Sequence, residues 1–255
     1  MKRSFSAEFA IISDIHGNTW ALDSVIADIK RRKITSIINL GDIVHGPLDP
    51  RGTAEQLMAL EATMNIVTIR GNHDRSIAQG STPGSSFPIH EYVASQLTNE
   101  QAQWLDRMPP SRVVEDELFL CHGTPEDDET YLLEKVTKNG VSLRPREEIE
   151  FFLKDIPCTI TLCGHSHIPR TVLLSDNRLA INPGSVGLQA FTEERPFPHR
   201  MHTDSPHARY VVLSKTTEGW NAEHVKIPYD WETAAGRARE NHRDDWAKWI
   251  LHGRP

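Results

Sequence analysis

Phe9-Ala10-Ile11-Ile12-Ser13-Asp14-Ile15-His16-Gly17 carries a short apolar run straight into a carboxylate, an imidazole and a glycine. The apolar part reads as a strand buried on both faces. The same grammar returns in Gly41-Asp42, Gly71-Asn72-His73-Asp74, Cys121-His122-Gly123 and Gly164-His165-Ser166-His167. One such segment would mean little. Five of them, each placing Asp, Asn or His beside glycine just past an apolar run, describe a site assembled from the ends of several strands.

Outward from the first segment, Thr19 to Lys33 places Leu22, Val25, Ile26 and Ile29 at the spacing of an amphipathic helix. Its basic last turn, Lys30-Arg31-Arg32-Lys33, suits the negative end of the helix dipole. Thr35 to Leu40 reads as a second strand, Thr53 to Met64 as a second helix and Asn65 to Ile69 as a third strand. Strands alternating with helices imply βαβ units and a largely parallel sheet. In such sheets the functional crevice lies beyond the carboxyl ends of the strands, where Asp14, Asp42 and Asn72 fall.

Gln79 to Pro88, rich in Ser, Gly and Pro, reads as a surface loop. Thr98-Asn99-Glu100-Gln101 has a capping-box pattern and opens a helix that Pro109-Pro110 stops. Glu117 to Cys121, Thr159 to Cys163, Arg170 to Ile181 and Ala208 to Leu213 add strands, so a second sheet stacked on the first is expected. The acidic run Glu126-Asp127-Asp128-Glu129 reads as a solvated loop entering a helix over Thr130 to Val136, with a place at the rim of the site as the alternative. Phe197 to His207, with His199, His202 and His207 among prolines, reads as a surface loop. The organisation expected is one domain over residues 1–228 and a helical segment over 229–255 that docks through Trp231, Trp246 and Trp249.

Composition narrows the class of protein. At 38% hydrophobic and 25% charged residues, the chain is an ordinary soluble globular sequence. It has no apolar stretch near the roughly 20 residues of a membrane span, and no apolar region follows Met1-Lys2-Arg3-Ser4-Phe5 as a signal peptide would require. Three cysteines, Cys121, Cys158 and Cys163, are no disulfide framework and point to a reducing cytoplasm. Cys121 and Cys163 read as small buried hydrophobes at strand ends, with thiolate ligation the lesser alternative. A formal charge of -7 with no basic face argues against general nucleic-acid binding. It leaves an anionic substrate open, because bound cations would dominate the local field.

If extended backbone continues through Ile15, Asp14 and His16 share a face and grip one cation together; His165 and His167 have the same relation. Asp42 is the candidate bridge, since a carboxylate holds two cations with its two oxygens. Ligand counting gives one set of Asp14, His16, Asp42 and His167 and another of Asp42, Asn72, His122 and His165. Oxygen and imidazole donors in this mixture suit first-row divalent cations, and the Asn72 carbonyl favours a harder Mn²⁺- or Fe-like ion.

The order Asp-x-His, Gly-Asp, Gly-Asn-His-Asp, a lone His before Gly, and Gly-His-x-His resembles the calcineurin-like metallophosphoesterases. Ser13-Asp14-Ile15-His16-Gly17-Asn18 and Asn182-Pro183-Gly184-Ser185-Val186-Gly187 are similar to the compact prokaryotic phosphodiesterase branch of that family. The resemblance runs from about Phe9 to about Gly187. It implies an α/β fold, a four-layer αββα sandwich of two stacked mixed β-sheets flanked by helices. It also implies two divalent metal ions, Mn²⁺ first and Fe²⁺, Ni²⁺ or Zn²⁺ after it, on the ligands above. The substrate implied is small, phosphorylated and nucleotide-like, attacked by a hydroxide bridging the two ions. His73, which ligand counting leaves out, takes from the resemblance the role of general acid or phosphate-binding imidazolium.

One departure matters. In the protein serine/threonine phosphatases a second Asp follows the bridging Asp by three residues, with Arg after it; here those positions are His45 and Gly46. That favours a diesterase or small-molecule phosphatase over a protein phosphatase. The rivals are a phosphomonoesterase, a dinucleoside polyphosphatase, and a protein-interaction scaffold on the same fold. The last is disfavoured because all seven ligand candidates and His73 are present.

Overall fold

The computed structural model describes residues 8–79 and 88–255, so most of the expected Gln79–Pro88 loop lies outside the described residues. The chain opens with the expected alternation of β1 (Glu8–Ile12), α1 (Thr19–Arg31), β2 (Ser36–Asn39), α2 (Pro50–Glu61), β3 (Asn65–Thr68) and α3 (Asn72–Ala78). Helices α4 (Pro88–Gln96) and α5 (Asn99–Asp106) lead into β4 (Ser111–Val114), β5 (Leu118–Cys121), β6 (Glu134–Thr137), β7 (Gly140–Leu143), α6 (Arg146–Phe152) and β8 (Ile160–Leu162). The last third holds β9 (Arg170–Leu173), β10 (Leu179–Asn182), β11 (Ala190–Glu193), β12 (His199–His202), β13 (Ala208–Thr216), β14 (Gly219–Ile227), α7 (Trp231–Glu240) and α8 (Asp244–His252).

Two five-stranded mixed sheets form, in the orders β14-β13-β1-β2-β3 and β4-β5-β8-β10-β9. Alternation along the strands explains their stacking. Phe9, Ile11, Ile38, Leu40, Val211 and Leu213 of the first sheet meet Leu118, Leu120, Ile160, Leu162 and Ile181 of the second in one core. The residues between them point the other way. Ala10, Ile12, Ile37, Tyr210 and Val212 pack against α1, α2, α7 and α8. Phe119, Cys121 and Ala180 pack against Ile149 of α6. The result is helices, sheet, sheet, helix: the αββα sandwich.

Local chemistry sets the helix starts. Asn18 accepts from the Ala21 N–H at 3.1 Å to cap α1. Asp49 caps α2 with Pro50 in its first turn, which places the start three residues before the expected Thr53. Thr98 and Gln101 form the capping box of α5.

Two expectations fail. Thr130 to Val136 is no helix: Glu134–Thr137 pairs as a hairpin with Gly140–Leu143. Gly140, at φ +110°, supplies the conformation the tight turn requires, and the acidic residues before it do not propagate a helix. Nor is Phe197 to His207 a plain surface loop. His199–His202 pairs with β11, and His199 and Met201 are buried while Arg200 and His202 face out. No helix among the described residues is long and apolar enough to cross a membrane.

Candidate metal centre

The residues picked from sequence meet at one edge of the sandwich. Asp14 and His16 follow β1, Asp42 follows β2, Asn72 and His73 open α3 after β3, His122 follows β5, and His165 and His167 follow β8. The backbone does not stay extended there. Asp14 (φ +55°), His16 (+53°), Asp42 (+54°), His165 (+68°) and His167 (+60°) are all left-handed. Asp and His tolerate that region better than bulky residues do, though at a cost in strain. Cross-loop hydrogen bonds hold it: Asp14 N–H donates to Gly41 O (2.9 Å), His16 N–H to Asp42 O (3.0 Å) and Gly17 N–H to Ile43 O (2.8 Å). The pairs therefore converge by turning, not by lying on one face of a strand.

Two sets of donors result, Asp14 with His16 and His167, and Asp42 with His122 and His165, each with its ligand atoms within 4.8 Å of one another. His167 Nε2 lies 3.2 Å from Asp14 Oδ1. Asp42 Oδ2 lies 3.3 Å from His122 Nε2 and 3.9 Å from His16 Nε2. It thus faces both sets. The other oxygen, Oδ1, accepts the His73 N–H at 3.1 Å, so Oδ2 is the oxygen turned toward both sets.

Every imidazole is held by its far nitrogen. The Nδ1–H groups of His16, His122 and His167 donate to the carbonyls of His45 (2.9 Å), Leu40 (2.8 Å) and Leu188 (2.7 Å). His165 uses Nε2 instead, donating to Glu129 O at 2.9 Å. A carbonyl only accepts, so in its neutral form each ring would turn its lone pair inward, the usual outer support of a metal-binding histidine. Asp14 Oδ1, Asn72 Oδ1 and His122 Nε2 are buried without a hydrogen-bond partner. Such atoms are costly unless something absent from the polypeptide satisfies them.

The charges agree. Burial pushes Asp14 up, but His167 and His122 outweigh it and leave the carboxyl at about 2. Asp42 is likewise held well below its ordinary value, burial being outweighed by His122 and His73. Burial lowers His122, but Asp42 and Asp14 carry it up to about 10. Burial, and after it His167, brings His16 down to about 4; burial, and after it His122, does the same for His165. Two buried carboxylates thus demand positive charge, and a proton on His122 supplies it in the bare protein. Divalent cations fit this donor set better, because imidazole ligates a metal as the neutral ring.

Asp74 is the residue the sequence left without a role. Its Oδ2 accepts from the N–H groups of Asp42 (2.8 Å) and Gly71 (3.0 Å), and its Oδ1 from that of Ile43 (2.9 Å). It clamps the Asp42 loop to the Asn72 turn. Burial and the neighbouring Asp42 push its carboxyl up to about 7, against the pull of those N–H groups. The two turns also need their glycines: a Cβ on Gly71 would sit 2.1 Å from Asp42 Oδ1, and one on Gly41 2.2 Å from Gly71 N. The second motif acts as a brace, with Val186 N–H donating to Ser13 O (2.9 Å) and Ser185 Oγ–H to Asp14 O (2.7 Å).

His73 lies on the first turn of α3, not on extended chain. Its ring stacks on His45 with centroids 3.7 Å apart and planes 5° from parallel. Burial brings it down to about 3 against the pull of Asp42. Trp246 of α8 closes this side, 5.8 Å from the His16 ring and 6.1 Å from that of His45. The acidic run is not merely solvated either: Asp128 pairs with Arg75 at 2.8 Å and Glu129 at 2.9 Å, while the Glu129 carbonyl holds His165. His199 joins this support through Tyr131, whose hydroxyl lies 3.1 Å from His199 Nε2 and whose ring lies 4.5 Å from that of His165. Cys121 and Cys163 are buried beside the site with thiols that burial pushes up, which disfavours thiolate ligation.

Known proteins share this architecture. A protein of Methanocaldococcus jannaschii, described as uncharacterized, is 27% identical over 93% of this chain and 94% of its own length. The crystal structure of a metallophosphoesterase from Sphaerobacter thermophilus superposes with a TM-score of 0.74 at 21% identity, covering 96% of this chain and 98% of that one. A hypothetical protein from Pyrococcus horikoshii gives a TM-score of 0.76 at 20% identity, with coverage of 96% and 98%. These two structures show the same fold. The profile of the calcineurin-like phosphoesterase superfamily domain matches residues 8–204, most of the chain including every residue of the donor cluster, and the protein belongs to that superfamily.

Proposed function

We propose that the protein is a dinuclear, metal-dependent phosphodiesterase of the cytoplasm, acting on a small nucleotide-like substrate with Mn²⁺ as its preferred ion. Superfamily membership makes it a hydrolase of phosphate esters that works with divalent metal ions on a phosphorylated substrate. The observation that carries the finer reading is the position of Asp42 Oδ2, 3.3 Å from His122 Nε2 in one donor set and 3.9 Å from His16 Nε2 in the other.

In this reading Asp14, His16, Asp42 and His167 hold one cation, and Asp42, Asn72, His122 and His165 the other. When bound, the pair supplies Lewis acidity, lowering the pKa of water at the site and offsetting charge on the phosphoryl oxygens. His73 gives a proton to the leaving oxygen. Burial keeps its imidazole neutral in the free protein; an arriving phosphate anion favours the protonated form and loads the acid only when substrate is present. Asp42 Oδ1 fixes the His73 backbone, and the stacked His45 ring fixes its side chain. Trp246 narrows the approach and excludes water.

His45 and Gly46 stand where a protein phosphatase carries Asp and Arg, so no guanidinium grips a dianionic monoester there, and a singly charged diester is favoured. The division into a catalytic domain over residues 1–228 and a docked helical segment over 229–255 belongs to the same proposal. Three free cysteines support a reducing compartment. The test is hydrolysis by protein loaded with Mn²⁺: bis-p-nitrophenyl phosphate should turn over faster than p-nitrophenyl phosphate. The opposite ranking makes the protein a monoesterase. No hydrolysis with Mn²⁺, Ni²⁺, Fe²⁺ or Zn²⁺ overturns the enzymatic reading.

A further inference from the structure

Away from the metal ligands, β13 and β14 bring a second set of charged groups together. Arg209 stands directly opposite Lys226 in the antiparallel register. His224, two residues before Lys226, lies diagonal to Arg209 on the same face of the ribbon. Like charges directly opposite one another destabilise a strand pair. In a chain of net charge -7, two cations placed so need a reason.

Arg209 is only 4% exposed, and its Nε is buried with no hydrogen-bond partner. Among the described residues no carboxylate pairs with its guanidinium. The acids close in sequence are engaged elsewhere: Glu223, on the other face of β14, pairs with Arg32 at 3.0 Å, and Asp204 with His202 at 3.2 Å. A buried guanidinium nitrogen without an acceptor is costly, so an anion placed beside Arg209 Nε would be favourable.

Arg209, Lys226, His224, His202 and Thr203 line one cavity of about 390 Å³, and among the described residues no carboxylate lines it. None of the seven candidate metal ligands lines it either. We propose that this cavity is a second binding site, separate from the metal centre, for the phosphate group of a small phosphorylated molecule. The planar fork of Arg209 matches two phosphate oxygens, as guanidinium groups do. Lys226 adds a second cation to the lining, with His224 and Thr203 as its polar neighbours. The volume lies in the range of small-molecule sites and leaves room for an organic part beside the phosphate.

The test is calorimetric titration of the metal-loaded protein with inorganic phosphate and with adenosine monophosphate. Phosphate also has access to the metal centre, so the wild type is compared with Arg209→Met and with Lys226→Gln, a change on an exposed side chain. The wild type should show two binding events per chain. Arg209→Met should lose one of them, and Lys226→Gln should weaken that same event by about three- to ten-fold. Hydrolysis of bis-p-nitrophenyl phosphate should stay within about two-fold of wild type in both variants, because the metal centre is untouched. Tighter binding of the nucleotide than of phosphate identifies a ligand with an organic part, and equal binding identifies phosphate itself. A single event in the wild type, or variants that titrate as the wild type does, overturns the proposal. Binding and hydrolysis are read separately, so failure of the diesterase reading leaves this result standing. If Arg209→Met does not fold, Lys226→Gln decides.

Discussion

Replacing Asp74 by Asn changes one oxygen to an NH₂ and tests how the metal loops are held together. The carboxylate accepts three backbone N–H groups, those of Asp42 and Gly71 on Oδ2 and that of Ile43 on Oδ1. An amide has one acceptor oxygen. Its better orientation keeps the two bonds on the Oδ2 side and turns NH₂ toward the Ile43 N–H, donor against donor. Leaving that buried N–H unmet costs about 1–3 kcal/mol. Above about pH 7, where the Asp74 carboxyl is ionised, loss of charge assistance in the other two bonds adds to this, for a total of about 2–5 kcal/mol. In a domain of this size each kcal/mol moves Tm by about 2–4 °C, so calorimetric melting should fall by about 5–15 °C. Asp42 moves with its N–H, and Mn²⁺ affinity, read by competition with a chromophoric chelator, should drop about 10- to 100-fold. Asp74→Asn melting within about 2 °C of wild type with unchanged metal affinity would refute the clamp.

His73→Ala should keep both metals by elemental analysis yet lose about 10²–10⁴-fold in kcat on an ester with a poor leaving group, and less on p-nitrophenyl esters, whose leaving group needs no proton; equal losses on both would remove the acid role. His45→Phe should retain most of the activity that His45→Ala loses, because a flat ring preserves the stack on His73; identical kinetics in the two variants would show that the stack does nothing. Asp28 is raised by burial but pulled below its ordinary value overall by Tyr210, Arg32 and Arg31. Its stabilisation is therefore complete above the unfolded carboxylate value of about 3.9 and is lost as pH falls through the lower folded value. The gap in Tm between wild type and Asp28→Asn should accordingly hold steady down to about pH 4 and shrink below it, and a gap that stays constant into acid would contradict the assignment.

The α/β half of the fold was legible because its signals are local. Ile11, Ile12, Ile37 and Ile38 mark strands buried on both faces, and Leu22, Val25, Ile26 and Ile29 trace one stripe of a helix. The metal candidates were legible for a related reason: ligands at strand ends stand beside recognisable apolar runs. What escaped depends on partners distant in the chain. The strands β6, β7, β11 and β12 are short and partly exposed, and only pairing makes them strands. Asp74 acts on the backbone N–H groups of residues about thirty positions earlier, which no side-chain pattern records. The left-handed turns at Asp14, His16, His165 and His167 looked like continued strand, because Asp and His carry no signature as strong as glycine. Arg209 gained its meaning only from the register that sets it across from Lys226.

The place of β13 beside β1 governs the order in which this protein can be completed. Ile11 pairs with Val211, joining the beginning of the chain to a strand two hundred residues later. Contacts of such long sequence separation form late and slow folding. All seven candidate ligands are translated by residue 167, and the superfamily match ends at residue 204, yet Asp14 hangs from a strand whose outer neighbour does not exist until Ala208–Thr216 has been made. A nascent polypeptide halted at residue 204 should therefore carry the whole ligand set and retain no metal on gel filtration.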